Sequence, residues 1–280
     1  MRLSIERKQE RENFKHFITF FSAIVVIIAA LISVWLFFPV SISEKTKVTQ
    51  IEQSKKVATD TKSKKVSQPS VTPVITNLAP DYSIPATTDG MAPVVYRMAT
   101  DQNIVFLGID DGAFKDQSVV DIMKQNNIKA SLFLTKSIIS GNPDFFKQLT
   151  AQGSFVEDHT LSHDTNMVTT QDYEQQKAEI CGMADYEELH FGRRPTLFRP
   201  PGGAYSDTMR MAAAACGMKA VVTWIAKANG GSMQYQVGNG LRAGDVVLMH
   251  FRPEFAQDMK AFVDAMNAAG LHTALLEDAL

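Results

Sequence analysis

Two adjacent aspartates, Asp110 and Asp111, close an apolar run in the stretch VFLGIDDG. A carboxylate at the end of a buried strand is costly unless a cation or hydrogen-bond donors meet it. Candidate partners lie further along: His159 and His163 in EDHTLSH, Arg199 in FRPPGG, and His250 in VVLMH. Histidines four apart fall on one side of a helical turn. Two histidines with one carboxylate form a known catalytic zinc set with a position left open for water. Paired aspartates can then divide the work. One holds the metal and the other takes a proton from water, whose pKa zinc lowers toward about 7. Arg199 would keep the base carboxylate ionised through an opposite charge at close range. His250 could protonate a leaving group. Each motif is weak alone, since a DDG triplet is a common turn and a lone histidine is more often structural. The joint pattern carries the reading. Of the six histidines, His16, His190 and His272 lack this context.

Such residues act together only if a scaffold gathers them. From about residue 95, short apolar runs alternate with amphipathic stretches. The pattern predicts strands at Ile104–Ile109, Ala130–Leu134, Phe155–Glu157, Leu197–Arg199, Ala220–Thr223, Val246–Met249 and Thr273–Leu275. It predicts helices at Asp116–Asn126, Pro143–Gln152, Asp172–Phe191, Asp207–Cys216 and Phe255–Ala269. Alternating βα units imply an α/β fold with a parallel sheet or barrel. In such folds chemistry collects at the C-terminal ends of strands. Asp110 and Asp111 end the first strand, His159 and His163 follow the third, Arg199 ends the fourth, Trp224 follows the fifth and His250 the sixth. A barrel would place them on one ring.

The rest of the chain reads differently. Residues 1–99 carry a net charge of +5 and residues 100–280 one of −7. An acidic C-terminal part argues against nucleic acid as a partner. The 24 residues Phe17–Val40 contain no charge, enough to cross a bilayer, which takes roughly 20. Arg2, Arg7, Lys8, Arg11 and Lys15 precede them and favour a cytoplasmic N-terminus. A cleaved signal peptide is the alternative, but the apolar core is unusually long and no good small-x-small cleavage site follows. Residues 41–94, rich in Lys, Ser, Thr, Gln and Pro, cannot bury enough surface to fold alone. The expected organisation is a basic cytoplasmic segment (1–15), a transmembrane anchor (16–40), a disordered tether (41–94) and one folded domain (95–280). That predicts a single-pass protein of the cell membrane whose folded domain lies outside the cell. Cys181 and Cys216 are the only cysteines. They form either a disulfide, as an exported domain permits, or two buried thiols.

Over residues 95–280 these motifs, in this order, resemble the polysaccharide deacetylases of the NodB-homology family (carbohydrate esterase family four). GIDDG resembles T-F-D-D-G, HTLSH fits H-S/T-x-x-H, RPPGG is similar to R-P-P-Y-G, and LRAGDVVLMH matches L-x-x-G-x-x-x-L-x-H. The resemblance implies an incomplete (β/α) barrel of about seven parallel strands. It implies Asp110 as general base, Asp111, His159 and His163 as metal ligands, Arg199 orienting Asp110, and His250 as general acid. It further implies that the Gly202 amide binds an oxyanion and that Leu248 lines a pocket for the acetyl methyl, with Trp224 nearby in the substrate groove. The implied cofactor is a divalent metal, Zn2+ first, with Co2+ or Mn2+ alternatives. The implied partner is a polysaccharide, acted on by a monomer. Location favours N-deacetylation of an N-acetylglucosamine glycan such as peptidoglycan. An O-acetyl esterase acting on acetylxylan or wall polymer, or a catalytically weak glycan-binding module, is the alternative. The chain departs from the pattern at three places. Gly108 and Ile109 replace Thr and Phe, which is expected to alter packing more than chemistry. Gly202 replaces Tyr. The segment after Trp224, IAKANGG, lacks the aspartate that usually tunes the acid histidine.

Overall fold

The structure is a computed structural model and describes residues 89–280. The expected cytoplasmic segment, the membrane anchor and the tether up to residue 88 lie outside the described residues. Among the described residues no helix is long and apolar enough to cross a membrane.

The chain alternates as β1 (Val94–Val95), β2 (Ile104–Asp111), α1 (Gln117–Gln125), β3 (Ser131–Leu134), α2 (Lys136–Ile139), α3 (Asp144–Ala151) and β4 (Phe155–Asp158). It continues as α4 (Met167–Thr170), α5 (Tyr173–Phe191), β5 (Leu197–Phe198), a 3-10 turn (Pro201–Gly203), α6 (Asp207–Ala215) and β6 (Ala220–Val222). It ends as β7 (Ala226–Asn229), β8 (Ser232–Tyr235), β9 (Val246–His250), α7 (Phe255–Ala268), β10 (His272–Ala274) and α8 (Leu276–Ala279). The strands run in the order β1-β6-β5-β4-β3-β2-β9-β7-β8, with β10 added to β2. Every pairing is parallel except that of β7 with β8. The result is a curled, incomplete barrel. The chain after β1 reaches across the gap: Arg97 bridges Asp245, and the Met98 amide donates to the Gly244 carbonyl at 2.8 Å.

All seven expected strands form, with shifts of a residue or two. The count of seven is corrected, because β1, β7 and β8 were not anticipated. Residues 92–94, placed at the end of the tether, belong to the folded part: the Ala92 amide donates to the Arg210 carbonyl and Val94 pairs with Val221.

Strand alternation sorts the core. Val105, Leu107, Ile109, Val247 and Met249 face outward onto Met123 of α1, Phe146 of α3 and Phe262 of α7. The opposite face of the same strands carries Ile104, Phe106 and Val246, which pack with Phe133 and Leu276 on the concave side. Further along that face stand Asp110 and His250, so the apolar plug forms the floor of the site. The longest helix, α5, starts where sequence chemistry predicts. Asp172 and Gln175 form a reciprocal capping box, and Gly192 in the left-handed conformation stops the helix. A disulfide joins Cys181 of α5 to Cys216, which caps α6. It settles the alternative left open by the sequence.

Candidate active site

The register of β2 builds the site. Asp110 lies opposite Phe133 of β3 and His250 of β9, so three strand ends meet at the aspartate. Asp111 takes a left-handed backbone with φ +75°, and Gly112 follows at φ +84°. Aspartate tolerates that region better than most residues. A Cβ on Gly112 would come within 2.5 Å of Ile139 and 2.8 Å of Phe146. The triplet is therefore a turn that breaks strand alternation and brings both carboxylates within 3.7 Å of His159 Nε2, with glycine required by a close approach.

His159 follows directly after β4, and His163 lies four residues on. The expected helical turn between them is corrected. The segment is a loop, with Thr160 at φ +71° and His163 at φ +64°. Side chains hold it. Asp158 Oδ1 accepts the Thr160 amide at 2.9 Å, Thr160 Oγ1 accepts the His163 amide at 3.0 Å, and Thr135 donates to the His159 carbonyl at 2.8 Å. The imidazoles still end up with ring centroids 4.9 Å apart. Sequence reasoning missed Asp158, Thr160 and Thr135. The signal for the first was an Asp two residues before a Thr, the pattern of an Asx turn.

Asp111, His159 and His163 each offer a ligand atom, and these atoms lie within 4.8 Å of one another. Nε2 of His163 is 3.0 Å from Asp111 Oδ1, and Nε2 of His159 is 3.6 Å from it. That oxygen is buried and has no well-formed hydrogen bond among the described residues. His159 Nδ1–H donates to the Arg199 carbonyl at 2.6 Å, which fixes the tautomer and turns the Nε2 lone pair toward Asp111. An orphaned carboxylate oxygen and two converging imidazole nitrogens fit a divalent cation. Burial works to raise the Asp111 carboxyl, but the two imidazoles beside it hold it well below the usual carboxylate range. Contact with Asp111 raises His163 in return, against its burial.

Asp110 is set apart from this group. Its Oδ1 accepts from Arg199 Nη1 at 2.6 Å, and its Oδ2 stands 3.7 Å from His159 Nε2. Arg199 is fully buried. Its Nε donates to the Val222 carbonyl at 3.2 Å, and its guanidinium lies 4.0 Å over the Phe133 ring. A carboxylate beside the ligand set, held by a cation and with one oxygen spare, is placed to accept a proton.

His250 and Leu248 project from the same face of β9, two residues apart, and Leu248 is buried. Burial lowers the His250 imidazole; Asp110 pulls it up and Arg252 pushes it down. No carboxylate of the described residues hydrogen-bonds its ring, in keeping with the missing aspartate. Arg252 lies two residues on and is tied to Asn229 Oδ1 at 3.0 Å; sequence reasoning missed this pair. Gly202 sits in the 3-10 turn with φ +69°. The Gly203 amide is used on the Pro200 carbonyl, so of the two glycines it is Gly202 whose amide can face a substrate. Trp224 packs its ring against Gly203, where a Cβ would come within 2.6 Å of it. All nine residues read from the sequence thus fall around one end of the barrel.

The Asp-His-His cluster thus stands at the strand ends of a curled, mostly parallel barrel. Residues 97–221 match the family model described as Polysaccharide deacetylase. An uncharacterized protein of Streptomyces coelicolor is 33% identical over 196 residues, covering 68% of this chain and 78% of that one. A peptidoglycan-N-acetylglucosamine deacetylase of Bacillus cereus is 26% identical over 166 residues, covering 56% of this chain and 76% of that one. Among solved structures, the chitin deacetylase of Colletotrichum lindemuthianum superposes with a TM-score of 0.58 at 17% identity, covering 68% of this chain and 92% of that one. The chain belongs to the polysaccharide deacetylase family.

Proposed function

We propose that this protein is a metal-dependent deacetylase that removes N-acetyl groups from N-acetylglucosamine units of an extracellular glycan, peptidoglycan first. The observation that carries the reading is the division of labour at the end of β2. Asp111 converges with His159 and His163, while Asp110, held by Arg199, remains free beside them.

Asp111, His159 and His163 would hold a divalent cation, Zn2+ first, whose chemistry there would be to acidify water and polarise an acyl oxygen. Asp110 accepts the proton of the attacking water. Arg199 aims that carboxylate through its 2.6 Å hydrogen bond. The Gly202 amide donates to the oxygen on which charge develops. His250 gives its proton to the departing amine, a poor leaving group otherwise. Leu248 and Trp224 form the apolar wall against the acetyl methyl. Asp110→Asn should lower acetate release from chito-oligosaccharide and peptidoglycan by ~10²–10⁴-fold while Zn2+ binding persists. Release equal to the parent's would end this reading.

The substrate rests on the Bacillus cereus relative's name and on the proposed location. An apolar segment behind a basic N-terminus would anchor the chain in the membrane, with the domain outside as a monomer and no nucleic-acid partner. The Cys181–Cys216 disulfide supports that location, because such bonds persist in oxidising compartments. The lack of a carboxylate on His250 favours a second reading, a glycan-binding module of low turnover. Glycan binding without acetate release in the presence of Zn2+ would select it.

A further inference from the structure

We propose that Gly108 is a positioning residue for the base: the place where its side chain would stand is the slot that the Arg199 guanidinium fills. Gly108 and Asp110 lie two apart on β2 and so share its concave face. A Cβ on Gly108 would stand 2.4 Å from Nη1, 2.5 Å from Nη2 and 2.8 Å from Cζ of Arg199. All three are far inside van der Waals contact. These distances put the Gly108 position off the open end of the fork, between Nη1 and Nη2, while the Phe133 ring lies 4.0 Å from the guanidinium carbon.

The hydrogen bonding makes these walls decisive. Arg199 meets Asp110 through Nη1 alone, at 2.6 Å, and Nη2 has no hydrogen-bond partner among the described residues. A forked pair would align itself through two parallel bonds. A single bond leaves the guanidinium free to pivot, so its direction is set by what surrounds it. The Nε bond to the Val222 carbonyl fixes the stem, the Phe133 ring packs against the group, and the empty Gly108 position leaves the room that Nη1 and Nη2 occupy. Arg199 is fully buried and cannot relieve a clash by swinging into solvent. Gly108 is not among the positive-φ glycines, so space, and not backbone conformation, is what the position demands. The family pattern has threonine here, so the slot is a property of this chain. On this proposal the packing at Gly108 bears on the chemistry, because it aims the base.

The kinetic arm of the test rests on the deacetylase reading, and the thermal arm does not. The full-length chain is compared with Gly108→Ala, Arg199→Lys and the double variant, using chito-oligosaccharide as substrate and chelator competition for Zn2+ affinity. Gly108→Ala should lower kcat by about 10- to 100-fold, with KM and Zn2+ affinity unchanged. Lysine lacks the forked nitrogens that collide. In the Arg199→Lys background, Gly108→Ala should therefore cost less than about threefold. Parental kcat in Gly108→Ala, the same loss in both backgrounds, or a loss that tracks Zn2+ release would overturn the proposal. If Gly108→Ala does not fold, a folded double variant supports the slot, and a double variant equally unfolded refutes it. If the parent chain releases no acetate, the deacetylase reading fails. The slot is then judged from the four thermal midpoints, where additive shifts reject it and non-additive shifts uphold it.

Discussion

Arg199→Met, measured in the metal-free protein, probes the ion pair on which the site is built. The substitution removes a fully buried guanidinium and leaves Asp110, only 2% exposed, without its 2.6 Å partner. Methionine keeps much of the volume between Phe133 and Gly108, so cavity formation is a minor part of the cost. Breaking a buried pair by deleting one partner costs about 3–5 kcal/mol, mostly the penalty of the stranded charge. Losing the Nε bond to Val222 adds about 1 kcal/mol. At about 2–4 °C per kcal/mol for a domain of this size, the midpoint should fall by roughly 8–24 °C. Adding Asp110→Asn removes the stranded charge and should recover about half of that fall. Calorimetry on the four proteins closes a double-mutant cycle. A fall under about 3 °C in Arg199→Met, or a double variant no more stable than the single one, would refute the view that these groups form one buried electrostatic unit.

Three further outcomes are expected. Protons compete with the metal at His163, whose pKa is raised above 6.5 chiefly by Asp111. Zn2+ affinity should therefore keep rising as pH climbs above 6.5, whereas the His163 contribution to metal-free stability, full below 6.5, should fade over that range; chelator competition and thermal melts read the two. Replacing Cys181 and Cys216 together by alanine opens a link across 35 residues and should cost about 4 kcal/mol, read by urea unfolding with and without reductant. Arg252 helps to lower the His250 imidazole, so Arg252→Ala should raise that pKa and move the alkaline limb of the kcat profile to higher pH. An unmoved limb would mean that another group carries it.

Local chemistry made much of this protein readable. The run Val105–Ile109 has the apolar content of a buried strand, and the two carboxylates after it had to meet cations wherever they lay. Asp172 and Gly192 mark both ends of α5 in the sequence itself. The β7–β8 hairpin escaped notice because each strand is only four residues long, so the alternation that turns Met233 and Tyr235 toward the core is too short to stand out. The histidine pair was found for a helical reason that does not apply: the Asx turn at Asp158 and two left-handed residues do what a helix turn was expected to do.

The sequence by itself determined which groups are candidates for chemistry, because motif spacing and residue type are local. Only the tertiary structure decided how they are aimed. Asp110 and Arg199 are 89 residues apart, and nothing near either of them announces a slot at Gly108. That slot exists because parallel pairing brings β2, β3 and β9 to a common level at Asp110. A missing side chain on one strand then becomes room for a guanidinium delivered by another, and close packing leaves it a single direction to point.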